Sequence, residues 1–176
     1  MALLLPVNDV HPRIGDKCYL APNATVVGDV MMGDECSVWF NAVVRGDVNK
    51  IVIGHKTNIQ DGAIIHCTYQ TAETLIGDNV SIGHRAIVHG CTIMDNVLIG
   101  MGAIVMDHAV VHSGSIIAAG AVILENTIVQ GDWIYAGVPA KPVKQVSNDR
   151  KTVFERTAGN YLMYSGWYGS SSDQSK

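Results

Sequence analysis

Large rings, basic charge and long apolar runs are all scarce in this chain. Only 6% of its 176 residues are aromatic, two of them phenylalanines, which suits a narrow interior that large rings would not fit. Lys and Arg number 12 against 16 Asp and Glu, a net charge of -4; with no basic footprint, nucleic acid and acidic membranes are not expected partners. No stretch is long enough to span a bilayer. The opening Met-Ala-Leu-Leu-Leu-Pro has no basic flank and its apolar run ends at Pro6, so no secretion signal is expected. Cysteines number four; Cys18 and Cys36 read as packed free thiols, and a reducing cytoplasm is the expected home. Over most of the chain the 3.6-residue helical period is missing too.

In its place stands a period of six. Aliphatic residues recur at Ile14, Leu20, Val26, Met32, Val38 and Val44, then after a longer step at Ile53, Ile59 and Ile65. After an eleven-residue step they resume at Ile76, Ile82 and Val88, shorten once to Ile93, and continue through Ile99, Val105, Val111, Ile117, Ile123 and Val129 to Tyr135. Four residues after most of these sits a compact one, such as Cys18, Ala24, Cys36, Ala42, Ala63, Ala86, Ala103 or Ala121. A large residue followed by a small one four on fits a triangular prism, one side chain filling the interior and the other a crowded corner. Each hexapeptide is then a short strand and a turn, three make a coil, and the fold is a parallel β-helix. Gly and Asp after the aliphatic, as in Ile14-Gly-Asp and Ile76-Gly-Asp, supply turn chemistry. General crossover rules favour a right-handed path.

After Pro139 and Pro142 the period stops. From Ser147, a plausible N-cap, Val153, Phe154, Ala158, Tyr161 and Leu162 follow roughly helical spacing, interrupted by Gly159. The expected organisation is one domain in three parts. Residues 1–146 form the β-helix, 147–168 a helix packed on the prism, and 169–176 a polar, Ser-rich tail that frays.

Three histidines interrupt the pattern at outward slots. With Val44 on face A, Ile53 falls on B, Ile59 on C, Ile65 on A, Ile76 on B, Ile82 on C and Val88 on A, counting the eleven-residue unit with its Tyr69–Thr74 loop as one face. Arg45, His66 and His89 then form a column on face A of successive coils. Gln60 and Asp61 follow Ile59 on face C, and His84 takes the slot of Asp61 one coil later. Rings at coil spacing can converge on one ion, since zinc takes imidazole nitrogen at about 2.0–2.1 Å. His66 and His89 are such a pair, whereas His84, on another face, reaches the ion economically only from another subunit. Three prisms around a threefold axis would make three sites, each with three histidines and an open fourth position, which is a catalytic arrangement. His11, His55, His108 and His112 read as solvated surface residues, and Cys67 as a residue on the wrong side of its strand to be a ligand. The bland alternative for Arg45 and Asp47 is an ordinary surface ion pair worth under about 1 kcal/mol.

The set Val44-Arg-Gly-Asp47, Asn58-Ile-Gln-Asp-Gly62, His66 and Gly83-His84-Arg-Ala-Ile-Val-His89-Gly resembles the gamma-class carbonic anhydrases and their relatives, including carnitine-operon and ferripyochelin-binding-type proteins, through nearly the whole chain. The resemblance implies a left-handed β-helix, a homotrimer, and zinc, with iron or cobalt as alternatives, held by His66 and His89 of one subunit and His84 of its neighbour. It further implies an intersubunit ion-pair network of Arg45, Asp47 and Asp61, a Gln60 that orients the metal-bound solvent, and Tyr161 brought near the site by the C-terminal helix. The archetypal family member carries a glutamate after its Arg-x-Asp motif and a long acidic loop after its first histidine. Here Val48 follows Asp47, and the short loop Cys67–Leu75 has Glu73 as its one carboxylate.

The leading functional expectation is reversible hydration of CO₂ to bicarbonate by a metal-bound hydroxide, with Gln60 holding the nucleophile and Glu73 or Tyr161 assisting the proton. A rival is acyl transfer from acyl-CoA or CoA-thioester hydrolysis, because hexapeptide acyltransferases share the prism and end in a segment like Tyr135-Ala-Gly-Val-Pro-Ala-Lys141. There a single histidine acts as general base, which explains three convergent histidines poorly. A third expectation is a metal-bearing trimer that serves only as a scaffold.

Overall fold

The computed structural model of the chain describes residues 1–169, and it is a parallel β-solenoid of hexapeptide repeats closed by one helix. Each aliphatic of the repeat stacks on its counterpart one coil away, because only in that register does every coil hide its inward side chain. On face A the column runs Val26, Val44, Ile65, Val88, Val105, Ile123. Face B carries Met32, Ile53, Ile76, Ile93, Val111, Val129. Face C carries Leu20, Val38, Ile59, Ile82, Ile99, Ile117, Tyr135. The eleven-residue step does count as one face, since Ile53, Ile76 and Ile93 share one ladder and the loop between Thr68 and Ala72 closes on itself.

The interior is a single apolar column. Ile59, Ile65, Ile82, Val88 and Ile99 are fully buried, and the compact residues Ala24, Ala42, Ala63, Ala86, Ala103 and Ala121 fill the corners at 0% exposure. Ile82→Ala would delete side-chain atoms at a point where stacked coils above and below hold the backbone apart. It is expected to cost about 2–5 kcal/mol, read as a lower urea midpoint; a loss well under 1 kcal/mol would mean that the coils collapse onto the gap.

The turns differ in detail from the expected chemistry. The left-handed residue lies three after the aliphatic, as at Lys17, Glu35, Lys56, Asn79, Asn96 and Asn126, and not at the Gly-Asp that precedes it. The aspartates instead accept backbone N–H groups from the coil before: Asp34 Oδ1 from Asp16 (2.8 Å), Asp78 Oδ1 from His55 (2.7 Å) and Asp95 Oδ1 from Asp78 (2.8 Å). His55, exposed as expected, joins this corner ladder by accepting the Asp34 N–H at 2.9 Å.

Where the repeat ends the chain reverses, and Trp133–Gly137 pairs antiparallel with Ala140–Gln145, a hairpin with no counterpart in the sequence reading. The helix Asn148–Gly169 matches the expected segment. It lies against face C, touching Ser37–Val38 and Ser81–Ile82, with Phe154 and Ala158 buried and Tyr161 and Tyr168 edge-on to Trp39. Apart from Gly169, the expected tail 169–176 lies outside the described residues. No helix among them is long and apolar enough to cross a membrane.

Candidate metal centre

His66 and His89 end the adjacent strands Ile64–His66 and Ile87–His89 and are direct partners in the ladder. Their ring centroids lie 5.0 Å apart. His66 Nδ1 and His89 Nε2 face one another at 3.0 Å. The outer nitrogens are both committed to carboxylates: His66 Nε2 to Asp47 Oδ1 at 3.0 Å, and His89 Nδ1 to Asp107 Oδ1 at 2.5 Å.

Electrostatics decide which nitrogens carry protons. Burial pushes the Asp47 carboxyl up, but hydrogen bonds from His66 and Arg45 outweigh it and hold it below the usual carboxylate value. Burial likewise pushes Asp107 up, and the Thr68 hydroxyl (2.5 Å) and the His89 ring outweigh it. An ionised carboxylate only accepts, so each outer nitrogen is N–H. The two inner nitrogens then face each other across 3.0 Å, a contact that is satisfied by a proton on one of them or by a metal cation between them. Two imidazole nitrogens on one tetrahedral ion lie roughly 3.3–3.4 Å apart, so a shift of a few tenths of an ångström would seat one. A carboxylate behind each ligand histidine is the usual support that fixes tautomer and orientation. The donor set therefore fits a divalent metal.

Glycine is required beside it. Gly90 has φ +54°, and a Cβ there would sit 2.5 Å from Asp107 Oδ1 and 2.8 Å from Ala72 Cβ. Its N–H donates to Thr74 Oγ1 at 2.9 Å, and Thr74 donates in turn to the His66 carbonyl at 2.5 Å, which pins the two histidine strands together.

His84 stands on face C, apart from the pair. Its Nδ1 meets Asp61 Oδ2 at 2.8 Å with the side chain 41% exposed, so Nε2 is the nitrogen left to face outward. Among the described residues no three His, Cys, Asp or Glu side chains of one chain converge as a metal site. Arg45 pairs with Asp47 inside the chain. Gln60 is 7% exposed, and its amide nitrogen is anchored on Asn58 Oδ1 at 3.0 Å. Tyr161 lies beside Asp61 in an aromatic groove of about 350 Å³ with Trp39, Phe40 and Tyr164. Burial, reinforced by the Asp61 charge, pushes its hydroxyl up to about 12. Glu73 is brought to Lys50 at 2.8 Å. Cys67 is buried with its thiol on Asn49 O at 3.1 Å. His11 and His108 are exposed and His112 half-buried.

The residues missed by sequence reasoning are Asp107, Thr68 and Thr74. Asp107 had a signal: Val105 pairs with Val88, which places Asp107 one coil beyond His89 on the same face, one residue further along. Thr68, in the loop, had none.

Residues 11–46 and 90–125 match the family described as Bacterial transferase hexapeptide (six repeats). Gamma carbonic anhydrase 2, mitochondrial, of Arabidopsis thaliana is 36% identical over 90% of this chain, and the chain spans 59% of that protein's length. The probable carbonic anhydrase of Methanocaldococcus jannaschii is 42% identical over 86% of this chain and 95% of its own length. A solved structure of a hexapeptide transferase family protein from Anaplasma phagocytophilum superposes with a TM-score of 0.90 at 39% identity, covering 94% of this chain and 98% of that one. The chain belongs to the gamma carbonic anhydrase family of hexapeptide-repeat proteins.

Proposed function

We propose that the chain is a metal-dependent hydratase that interconverts CO₂ and bicarbonate at the subunit interfaces of a homotrimer. The observation that carries this reading is the pair of facing imidazole nitrogens 3.0 Å apart, each ring backed by a carboxylate, with no third ligand among the described residues of the same chain. A second observation supports the trimer. Val43, Ile64, Ile87, Ile104 and Val122 stack in register on the outside of face A, and Ile64 is 43% exposed in the isolated chain. Such a stripe beside His66 and His89 suits burial against another copy, whose face C would bring His84 with its Nε2 outward.

A bound zinc ion, or iron or cobalt, would supply Lewis-acid polarisation and acidify water in the site. The chain's own residues do the rest. Asp47, Asp61 and Asp107 fix the tautomers of His66, His84 and His89. Gln60, with its nitrogen held by Asn58, turns its carbonyl oxygen to accept a hydrogen bond from the reacting water and so orients it. Tyr161 stays protonated at neutral pH and acts as a hydrogen-bond donor, not as a proton acceptor. Glu73 is occupied by Lys50 and Val48 offers no carboxylate, so the released proton passes to buffer.

Stopped-flow hydration of CO₂ by metal-replete protein tests this reading. Activity is expected to require metal and to rise with the concentration of imidazole buffer. A rate independent of buffer would place the proton on an internal group, and no metal-dependent hydration at all would remove the proposal. The acyl-transfer reading draws on the transferase descriptions of the matched family and of the Anaplasma structure. It needs a histidine with a free lone pair, which a ligand histidine lacks, so thiol release from acetyl-CoA is expected to be absent in the same samples.

A further inference from the structure

Two of the four cysteines stand one above the other. Cys18 and Cys36 each fall four residues after an inward aliphatic, Ile14 and Met32. The strands that follow them pair in parallel, Tyr19 with Ser37 and Leu20 with Val38, and Tyr19 N–H donates to the Cys36 carbonyl at 2.9 Å. Residues 18 and 36 therefore stack on adjacent coils. Neighbouring parallel strands lie about 4.8 Å apart, and a disulfide needs Cα atoms about 4.4–6.8 Å apart. At strand spacing the Cα atoms of the pair meet that requirement. Stacked Cβ atoms at a strand spacing of about 4.8 Å lie beyond the usual disulfide range of about 3.5–4.5 Å, so closing the bond draws the two side chains together and makes a strained bond that is readily reduced.

We propose that Cys18 and Cys36 are a reversible dithiol–disulfide pair, oxidised by hydrogen peroxide and returned by a dithiol reductant. The two sulfurs are placed for different roles. Cys18 is half-buried and lines a groove with Lys17 and with Leu162, Ser165 and Gly166 of the helix, so peroxide reaches it first. Cys36 is buried behind it at 2% exposure. The Cys18 thiolate attacks one peroxide oxygen: an S–O bond forms, the O–O bond breaks, and hydroxide leaves. The Cys36 sulfur then attacks the Cys18 sulfenic acid, the S–S bond forms, and the hydroxyl departs as water with the Cys36 proton. Two electrons have passed from the sulfurs to the peroxide.

The local hydrogen bonds favour that division. The neighbouring Cys36 thiol lowers the Cys18 pKa to about 7, outweighing burial and the Asp34 and Asp16 charges, and the Cys18 thiol has Gly33 O as its acceptor at 3.1 Å. The Cys36 thiol donates to Gly54 O at 3.0 Å, and the adjacent Cys18 sulfur, with burial, pushes it well above the ordinary thiol value. The other two cysteines serve as internal controls. Cys67 and Cys91 are each 1% exposed, and burial raises both thiols, Cys91 to about 12.

The test uses the full-length protein, treated with a small excess of hydrogen peroxide, alkylated with N-ethylmaleimide and digested with trypsin without reduction. Both cysteines fall in one peptide, residues 18–45. It is expected to be lighter by two hydrogens and unalkylated, and to take up two labels after dithiothreitol, while Cys67 and Cys91 show no oxidation. Oxidation of Met31 or Met32 in the same peptide adds oxygen and is separable by mass. Cys36→Ala should leave Cys18 as a sulfenic acid that dimedone captures. Full alkylation of both thiols after peroxide, a wild-type Cys18 that proceeds to sulfinic acid, or a disulfide joining two chains would each overturn the proposal.

Discussion

His89→Ala is expected to yield a folded protein that retains no stoichiometric metal and hydrates CO₂ at least about a hundredfold more slowly than the parent. The size follows from comparison with milder changes: altering a group that only supports a metal ligand already costs about 10–100-fold in affinity or activity, and here a ligand itself is removed. The fold should survive, because the His89 side chain is 33% exposed and points away from the prism, while Val88 beside it carries the packing. Asp107→Asn grades the effect. It keeps all ring nitrogens but weakens the acceptor on His89 Nδ1, so metal affinity should fall about 10–100-fold with the site still fillable at high metal concentration. Elemental analysis after gel filtration reads the first, and titration with zinc against a chelating dye the second. A His89→Ala protein that keeps one metal per chain would show that the facing nitrogens are not the site.

The prism is legible in the sequence because its inward side chains are buried for the same reason on every coil. Ile65, Val88 and Val105 must each hide, so their spacing survives the insertion of a loop. The turn is read one or two residues early because Gly-Asp is a strong local turn signal, yet here the aspartate caps the neighbouring coil, and the left-handed residue is whichever one follows it: Lys17, Glu35 or Asn79. The hairpin of Trp133–Gly137 and Ala140–Gln145 leaves no periodic trace. Its second strand, Ala-Lys-Pro-Val-Lys-Gln, is almost wholly exposed, so no burial demand shapes its residues.

The site divides along the same line. His66 and His89 can be paired from spacing alone because the ladder that stacks Ile65 on Val88 also stacks their neighbours. Asp107 is displaced by one residue from that column and reaches His89 through its side chain, a contact set by rotamer and not by register. The role expected of Glu73 fails to take account of Lys50, which strand pairing brings alongside: Ile51 sits opposite Thr74, and their preceding residues carry opposite charges. Tyr161 is brought to the Asp61 side by the helix, but its neutral state comes from the aromatic packing that buries it, and that packing has no sequence period.

Mixing two inactive variants is expected to restore metal binding, and this is the sharpest consequence of placing His84 on a different face from the other two. His84→Ala subunits keep the His66 and His89 pair; His89→Ala subunits keep His84. Each alone should bind no metal, because every interface lacks a ligand. When the two are unfolded together in equal amounts and refolded, a given interface is complete only if the pair comes from the first variant and His84 from the second. Random assembly gives that arrangement at about one interface in four, so the mixture should recover about a quarter of wild-type metal and a similar share of hydration activity. A site built within one chain predicts none, since no chain in the mixture carries all three histidines. A trimer that assembles through some other face also predicts none, because His84 would then never meet the pair. Recovery near one quarter, rising when the ratio approaches equality and falling to either side, would establish both the ligand set and the face-to-face assembly; a mixture that never exceeds its parents would remove both.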